Sequence, residues 1–288
     1  MSRFQRTLAL AKASWTVLKS DRSLALFPII SALASLGLIL VLAVLGWATK
    51  GKAVDVSSGH TQYTANVATY VIAVVAYLGL AFIQTYFLAG LVGSANEVLE
   101  GRSTSVGQGM NIASSRLSKL MPWAIVSATV NYVIQAIEQR FGIIGRIIGS
   151  LLGAAWSVLT FLTVPIIVFE NVGPVTALKR SGTLLKSTWG ENIIAQMGFG
   201  LLALIPMLVA FGIGFAGVAS GTPVIAVPLV AVAVVIFLAT LVVINALSGI
   251  FRTALYRYAV DGTIPGAFAD VDLANAFGAK KTRRGFTS

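Results

Sequence analysis

The chain has 288 residues, of which 57% are hydrophobic and only 11% charged, whereas an ordinary soluble domain is about 45–50% apolar and about 25% charged. With a mean hydropathy of +0.87, that excess excludes a water-soluble fold and makes lipid the solvent for most of the chain. The formal charge of +11 does not argue for nucleic acid, because Lys and Arg gather between and around the apolar runs, the distribution that membrane topology and attraction to anionic lipid produce.

Cysteine is absent and His60 is the only histidine. Disulfides, thiol nucleophiles and thiolate or histidine metal sites are thereby excluded, and no cofactor is expected.

A hydrocarbon core about 30 Å thick is spanned by about 20 apolar residues. Six runs qualify in chain order: 24–47, 65–92, 121–137, 147–169, 193–217 and 224–250. The first is longer than the 7–15 apolar residues of a signal peptide and ends without a small-residue cleavage site, so it reads as an anchor. The last two are joined by residues 218–223, an uncharged turn holding Gly221 and Pro223, which predicts a tight antiparallel hairpin.

Seventeen Lys and Arg flank these runs on one side, against Lys50, Lys52, Arg140 and Arg146 on the other. The positive-inside rule puts the larger group in the cytoplasm, and an even number of crossings puts both termini there.

Each odd-numbered span follows an apolar stripe of helical period. The stripes are Phe4, Leu8, Ala11, Trp15 and Leu18; Val106, Met110, Ala113, Leu117 and Leu120; and Val175, Leu178, Gly182, Leu185 and Trp189. The unit "surface helix, span, span" would then occur three times, the plainer alternative being that any short linker beside a membrane looks amphipathic. Arg3, Arg6, Lys12, Lys19, Lys179, Arg180 and Lys186 on the first and third of these helices are expected to face anionic headgroups.

The fold class expected is all-α: a polytopic bundle of six transmembrane helices with amphipathic interfacial helices on the cytoplasmic side. Its regions are a surface helix over 1–23, a transmembrane domain over 24–250 and a basic cytoplasmic tail over 251–288 with a short helix near 270–277.

Within the spans, Gly145, Gly149 and Gly153 recur every fourth residue and let another backbone approach closely. That neighbour belongs either to this chain or to a second subunit. The third span carries a polar stripe of Ser127, Asn131, Gln135 and Glu138, and the sixth carries Asn245 and Ser248 with Arg252 below them. Such groups face a bundle interior, either as hydrogen-bond glue or as the lining of a polar path.

Between the fourth and fifth spans, Pro165 loosens one helix, Gly173 and Pro174 start the next, and Gly190 ends it. The set Pro165, Phe169, Glu170, Gly173, Ala177, Leu178 and Ser181, followed by Thr188, Trp189, Gly190 and Glu191, resembles a family of uncharacterised bacterial membrane proteins of the domain-of-unknown-function kind. Residues 254–259 with Asp261 and Gly262 are similar to that family's tail. The chain is also distantly similar to the membrane domain attached to some glycerophosphodiester phosphodiesterases, which carries no hydrolase chemistry of its own. The resemblance implies a helical fold in the bacterial cytoplasmic (inner) membrane and no defined activity.

H-E-x-x-H, G-x-S-x-G and phosphate-binding glycine loops do not occur. Glu170 and Glu191 flank one connector, where helix capping or pairing with Lys179 or Arg180 is a plainer role than acid–base work. The expected function is a non-enzymatic membrane scaffold or accessory subunit contacting inner-leaflet lipid. The alternative is a transporter of small solutes or lipid with a polar path along the third and sixth spans. The expected partners are anionic membrane lipids, with a second copy or a membrane complex as the protein partner and no nucleic acid.

Overall fold

The computed structural model describes residues 3–48, 53–56, 60–63, 67–189 and 199–269, with side chains described over 8–48, 67–188 and 203–269. The helices are α1 (Arg3–Ser20), α2 (Ser23–Ala48), α3 (Val67–Leu99), α4 (Val106–Ser115), α5 (Leu117–Arg140), α6 (Gly142–Leu159), α7 (Thr163–Glu170), α8 (Pro174–Trp189), α9 (Phe199–Ala219) and α10 (Pro223–Asp261). Strands β1 (Ala53–Val56) and β2 (His60–Tyr63) pair antiparallel between α2 and α3, with Val56 opposite His60. The fold is thus helical apart from this small ladder in the polar loop.

Five helical segments are long and apolar enough to cross a membrane: Ser23–Ala48, Val67–Leu99, Leu117–Arg140, Gly142–Glu170 and Pro223–Asp261. The described apolar part of α9, Ala203–Ala219, is shorter. The start of the expected fifth span, 193–198, lies outside the described residues.

The chain order is a helix followed by two antiparallel neighbours, three times: α1 before α2 and α3, α4 before α5 and α6, α8 before α9 and α10. At the last hairpin Gly221 supplies a left-handed turn (φ +66) and Pro223 starts α10 at a position where its missing N–H costs nothing.

Buried side chains gather at the end where α1, α4, α7 and α8 lie, which we call the basic end for the Lys and Arg of α1 and α8. Leu24 and Phe27 of α2, Ala89 and Leu91 of α3, Ala113 of α4, Leu120 and Trp123 of α5, Leu185 of α8 and Ile250 and Leu255 of α10 join one cluster around residues 161–168. The far halves of the helices are bare: Leu33 is 63% exposed, Ile143 76% and Val224 85%. Lipid tails are as apolar as these side chains, so nothing drives them inward.

The preceding helices use their apolar faces on protein. Leu10, Ala13, Ser14, Val17 and Leu18 of α1 are buried where α1 lies on α10 and on the turn of 3-10 helix Gly266–Phe268. Leu8 and Trp15 stay exposed, so the buried face is rotated from the stripe read in the sequence. Ser14 enters the core because its hydroxyl donates to the Leu10 carbonyl at 3.0 Å. In α8 the buried set is Ala177, Ser181, Leu184 and Leu185, with Val175 exposed.

α1 packs on α10, and residues 270–288 of the expected tail lie outside the described residues. α10 continues through Asp261 because Phe251, Ala254, Leu255 and Tyr256 bury one face, and Gly262 (φ +67) caps it. The short helix expected near 270–277 lies outside the described residues.

Candidate functional site

The sequence pattern centred on Pro165 folds into a clasp. The fourth apolar run breaks between α6 and α7, where Pro165 has no N–H to continue the ladder. The break leaves the Leu162 amide without a helical partner, and the buried Ser181 hydroxyl of α8 accepts it at 3.3 Å.

Phe169 stacks on Tyr256 of α10 with ring centroids 5.1 Å apart. Glu170 accepts from Arg180 Nε at 3.1 and 3.2 Å and from the Tyr256 hydroxyl at 3.2 Å. Asn171 (φ 53) closes α7 in the left-handed region, and Gly173 has open space where a Cβ would stand. These contacts lock α7, α8 and α10 together. Trp189 ends α8, while Gly190 and Glu191 lie outside the described residues.

The glycine stripe meets α5 of the same chain. A Cβ on Gly149 would fall within the Glu138 side chain, one on Gly145 would strike the Ile137 carbonyl and Phe141, and one on Gly153 would stand 3.9 Å from Ile134. Glu138, the last member of the polar stripe, thus belongs to the α5–α6 contact. Asn131 and Gln135 are exposed.

Ser127, the first member, lines a cavity of about 200 Å³ together with Asn245, Ser248 and Arg252 of α10. The polar residues of the third and sixth spans meet at that level. Gln84, Thr85 and Thr160 complete the polar lining and were not singled out from the sequence. The signal for Gln84 was available: an amide in the middle of an apolar run is costly unless it has a place to go.

A second cavity of about 500 Å³ opens between α2, α3 and α10, lined by Phe27, Ser31, Phe87, Leu91, Leu238 and Val242 among others. Gln84, Leu88 and Asn245 line both cavities.

Several arginines of the basic end have protein partners, whereas Arg22 is exposed with no side-chain partner among the described residues. Arg102 pairs with Glu97 and Glu100, Arg257 pairs with Glu100 and donates to Asn96, and Arg116 Nε donates to the Val168 carbonyl at 2.9 Å. Lys12, Lys19, Lys179 and Lys186 are exposed with no ion pair among the described residues, and Lys19 Nζ lies 5.7 Å from the Trp15 ring. Arg180 is exposed but engaged by Glu170. Arg3 and Arg6 lie on α1 with their side chains outside the described set.

Asp21, in the α1–α2 corner, accepts from the Ser23 amide at 2.9 Å and the Thr104 amide at 3.2 Å. Burial raises its pKa, but these hydrogen bonds outweigh burial and hold the carboxyl below the ordinary aspartate value. Among the described residues no three Asp, Glu or His side chains stand together as a metal site would need.

Residues 65–266 match the Family of unknown function (DUF6159), which is well over half of the chain. The chain belongs to that family. The match takes in the clasp, the smaller cavity, the α3 and α10 walls of the larger one and the whole of α3 to α10. No curated protein and no solved structure matches the chain. The apolar helices and the family together describe an integral membrane protein of unknown molecular activity.

Proposed function

We propose that this is a non-enzymatic scaffold or accessory subunit of the bacterial inner membrane, held against anionic inner-leaflet lipid by the cationic face of its basic end. It crosses the membrane six times with both termini in the cytoplasm, the fifth crossing comprising α9 and the residues before it. α1, α4 and α8 lie at the cytoplasmic interface, and the residues beyond Gly262 form the basic tail. The distant likeness to a phosphodiesterase-attached membrane domain fits a supporting role.

The single observation that carries the reading is the set of exposed lysines on α1 and α8, Lys12, Lys19, Lys179 and Lys186. Their helices bury one apolar face on the bundle, so these lysines stand on the outward face beside Leu8, Trp15 and Val175. Near an anionic surface each such charge is worth about 1 kcal/mol.

The test uses the full chain in vesicles of mixed phosphatidylglycerol and phosphatidylcholine, with spin-labelled lipids reporting which headgroup the protein prefers. Wild type should select phosphatidylglycerol, and the variant Lys12→Gln, Lys179→Gln, Lys186→Gln should lose most of that selection. Unchanged selectivity in the variant overturns the reading.

A second reading, movement of lipid or a small solute, is favoured by one observation. Ser127 of the third span and Asn245 and Ser248 of the sixth share a cavity. Under it, Ser127→Leu should stop transport while leaving the protein folded.

A further inference from the structure

Arg252, unlike the exposed Arg22, lies within the bundle with neither a carboxylate nor a hydrogen-bonding partner among the described residues. It is partly buried, its Nε is shielded from solvent with no hydrogen bond, and its guanidinium lies 4.8 Å from the Phe161 ring centre. A cation taken out of water is costly unless an anion or a polar cavity compensates it. Here the compensation on the protein side is limited to neutral groups: Gln84, Ser127 and Ser248 face the same cavity, and none of the three makes a side-chain hydrogen bond to the described protein. Asn245 uses its amide N–H on the Leu241 carbonyl at 2.8 Å. The site is a cation with unspent donors and no anion.

The shape beyond it is also specific. The polar cavity shares Gln84, Leu88 and Asn245 with the larger cavity of about 500 Å³, a volume within the usual range for a bound small molecule. That second cavity is apolar apart from Ser31, Gln84 and Asn245 and runs outward along α10 past Val242 and Leu238 to Val235. At 1.5 Å per residue the α10 wall of the groove runs about 15 Å from Asn245 to Val235, half the thickness of a hydrocarbon core. A polar head site with a positive charge thus stands at the basic end, and an apolar slot able to take part of an acyl chain leads away from it.

We infer that this pair of cavities is a binding site for one anionic lipid per chain, its acidic headgroup at Arg252 with Ser127, Asn245 and Ser248, its acyl chain in the groove between α2, α3 and α10. The site lies inside the bundle and does not depend on the surface lysines, so it stands or falls separately from the scaffold reading. Phe161 holds the guanidinium from the far side, which leaves its N–H donors for the headgroup oxygens.

The test is native mass spectrometry of the full chain released from detergent with equimolar phosphatidylglycerol and phosphatidylcholine. Wild type should retain one phosphatidylglycerol per chain in preference to phosphatidylcholine. Arg252→Gln should lower that retention at least tenfold, and Ala239→Trp, which leaves the charge and fills the groove, should do the same. Lys12→Gln with Lys179→Gln and Lys186→Gln should keep the tightly held lipid even if it loses selectivity for bulk lipid. If Arg252→Gln fails to fold, Ala239→Trp carries the test. Equal retention of the two lipids by wild type, or undiminished phosphatidylglycerol in Ala239→Trp, overturns the assignment; the latter result would mean that the headgroup is held without an acyl chain in the groove.

Discussion

The basic end and the far end of this bundle are built from similar residues under different rules. At the basic end Phe27, Leu162, Ile166, Ile167, Ile250 and Leu255 are fully buried, and short helices tie the long ones together. At the far end Ile144, Leu151, Phe211 and Val227 face outward. Burial of an apolar side chain stabilises a fold only relative to the solvent it leaves. Where that solvent is hydrocarbon the gain vanishes, so a compact core forms where the chain emerges from lipid and can be absent where it does not. The specificity of the fold is therefore concentrated near one surface.

The largest effect that separates the two ends should come from glycines. Gly109 of α4 sits where a Cβ would run into Ser94, Phe27 and the Gly90 carbonyl, while Gly37 of α2 has nothing within 4 Å. Gly109→Leu should abolish recovery of folded protein, and Gly37→Leu should leave expression and elution from a sizing column unchanged. Gly149→Leu is the instructive exception of the far half, since it must displace Glu138; it should behave like Gly109→Leu rather than Gly37→Leu.

A step smaller is truncation of apolar side chains. Ile166→Ala removes a fully buried side chain and should cost about 2–5 kcal/mol, read as a lowered melting midpoint in detergent. Leu151→Ala, at a position 65% exposed, should stay within about 0.5 kcal/mol. Similar losses at the two positions would mean that the far end has a core of its own.

Smallest is the clasp. Ser181→Ala leaves the Leu162 amide buried without an acceptor, a loss of about 1–3 kcal/mol, whereas Ser150→Ala, exposed on α6 and bonded only to its own helix, should be silent by the same melting assay.

How far the sequence foretells this division is uneven. Spans are legible because twenty apolar residues admit few other fates, and the hairpin at 218–223 is legible because Gly221 and Pro223 punctuate it. The rotation of α1 and α8 is not. A stripe count treats Ser14 and Ser181 as polar, whereas each enters the core by hydrogen bonding to backbone, one within its helix and one across the α6–α7 break. The continuation of α10 through Asp261 was hidden by Arg252 and Arg257, whose charges read as the start of a tail. Arg257 is balanced by Glu100, far away in sequence, and Arg252 faces a cavity whose other walls come from α3, α5 and the α6–α7 break. Both facts belong to tertiary structure. The same holds for Glu138, whose spacing assigned it to a polar stripe with Ser127 although the two ends of that stripe serve different neighbours.

In the proposed orientation the packed end faces the cytoplasm and the bare hairpin end faces outward. Because the chain contains no cysteine, single cysteines can be read without a background. Thr222, exposed at the α9–α10 turn, and Thr183, exposed on α8, mark the two ends. In intact cells a membrane-impermeant maleimide should label Thr222→Cys and leave Thr183→Cys unlabelled until the membrane is opened. Labelling of Thr183→Cys from outside, with Thr222→Cys protected, would reverse the proposed orientation.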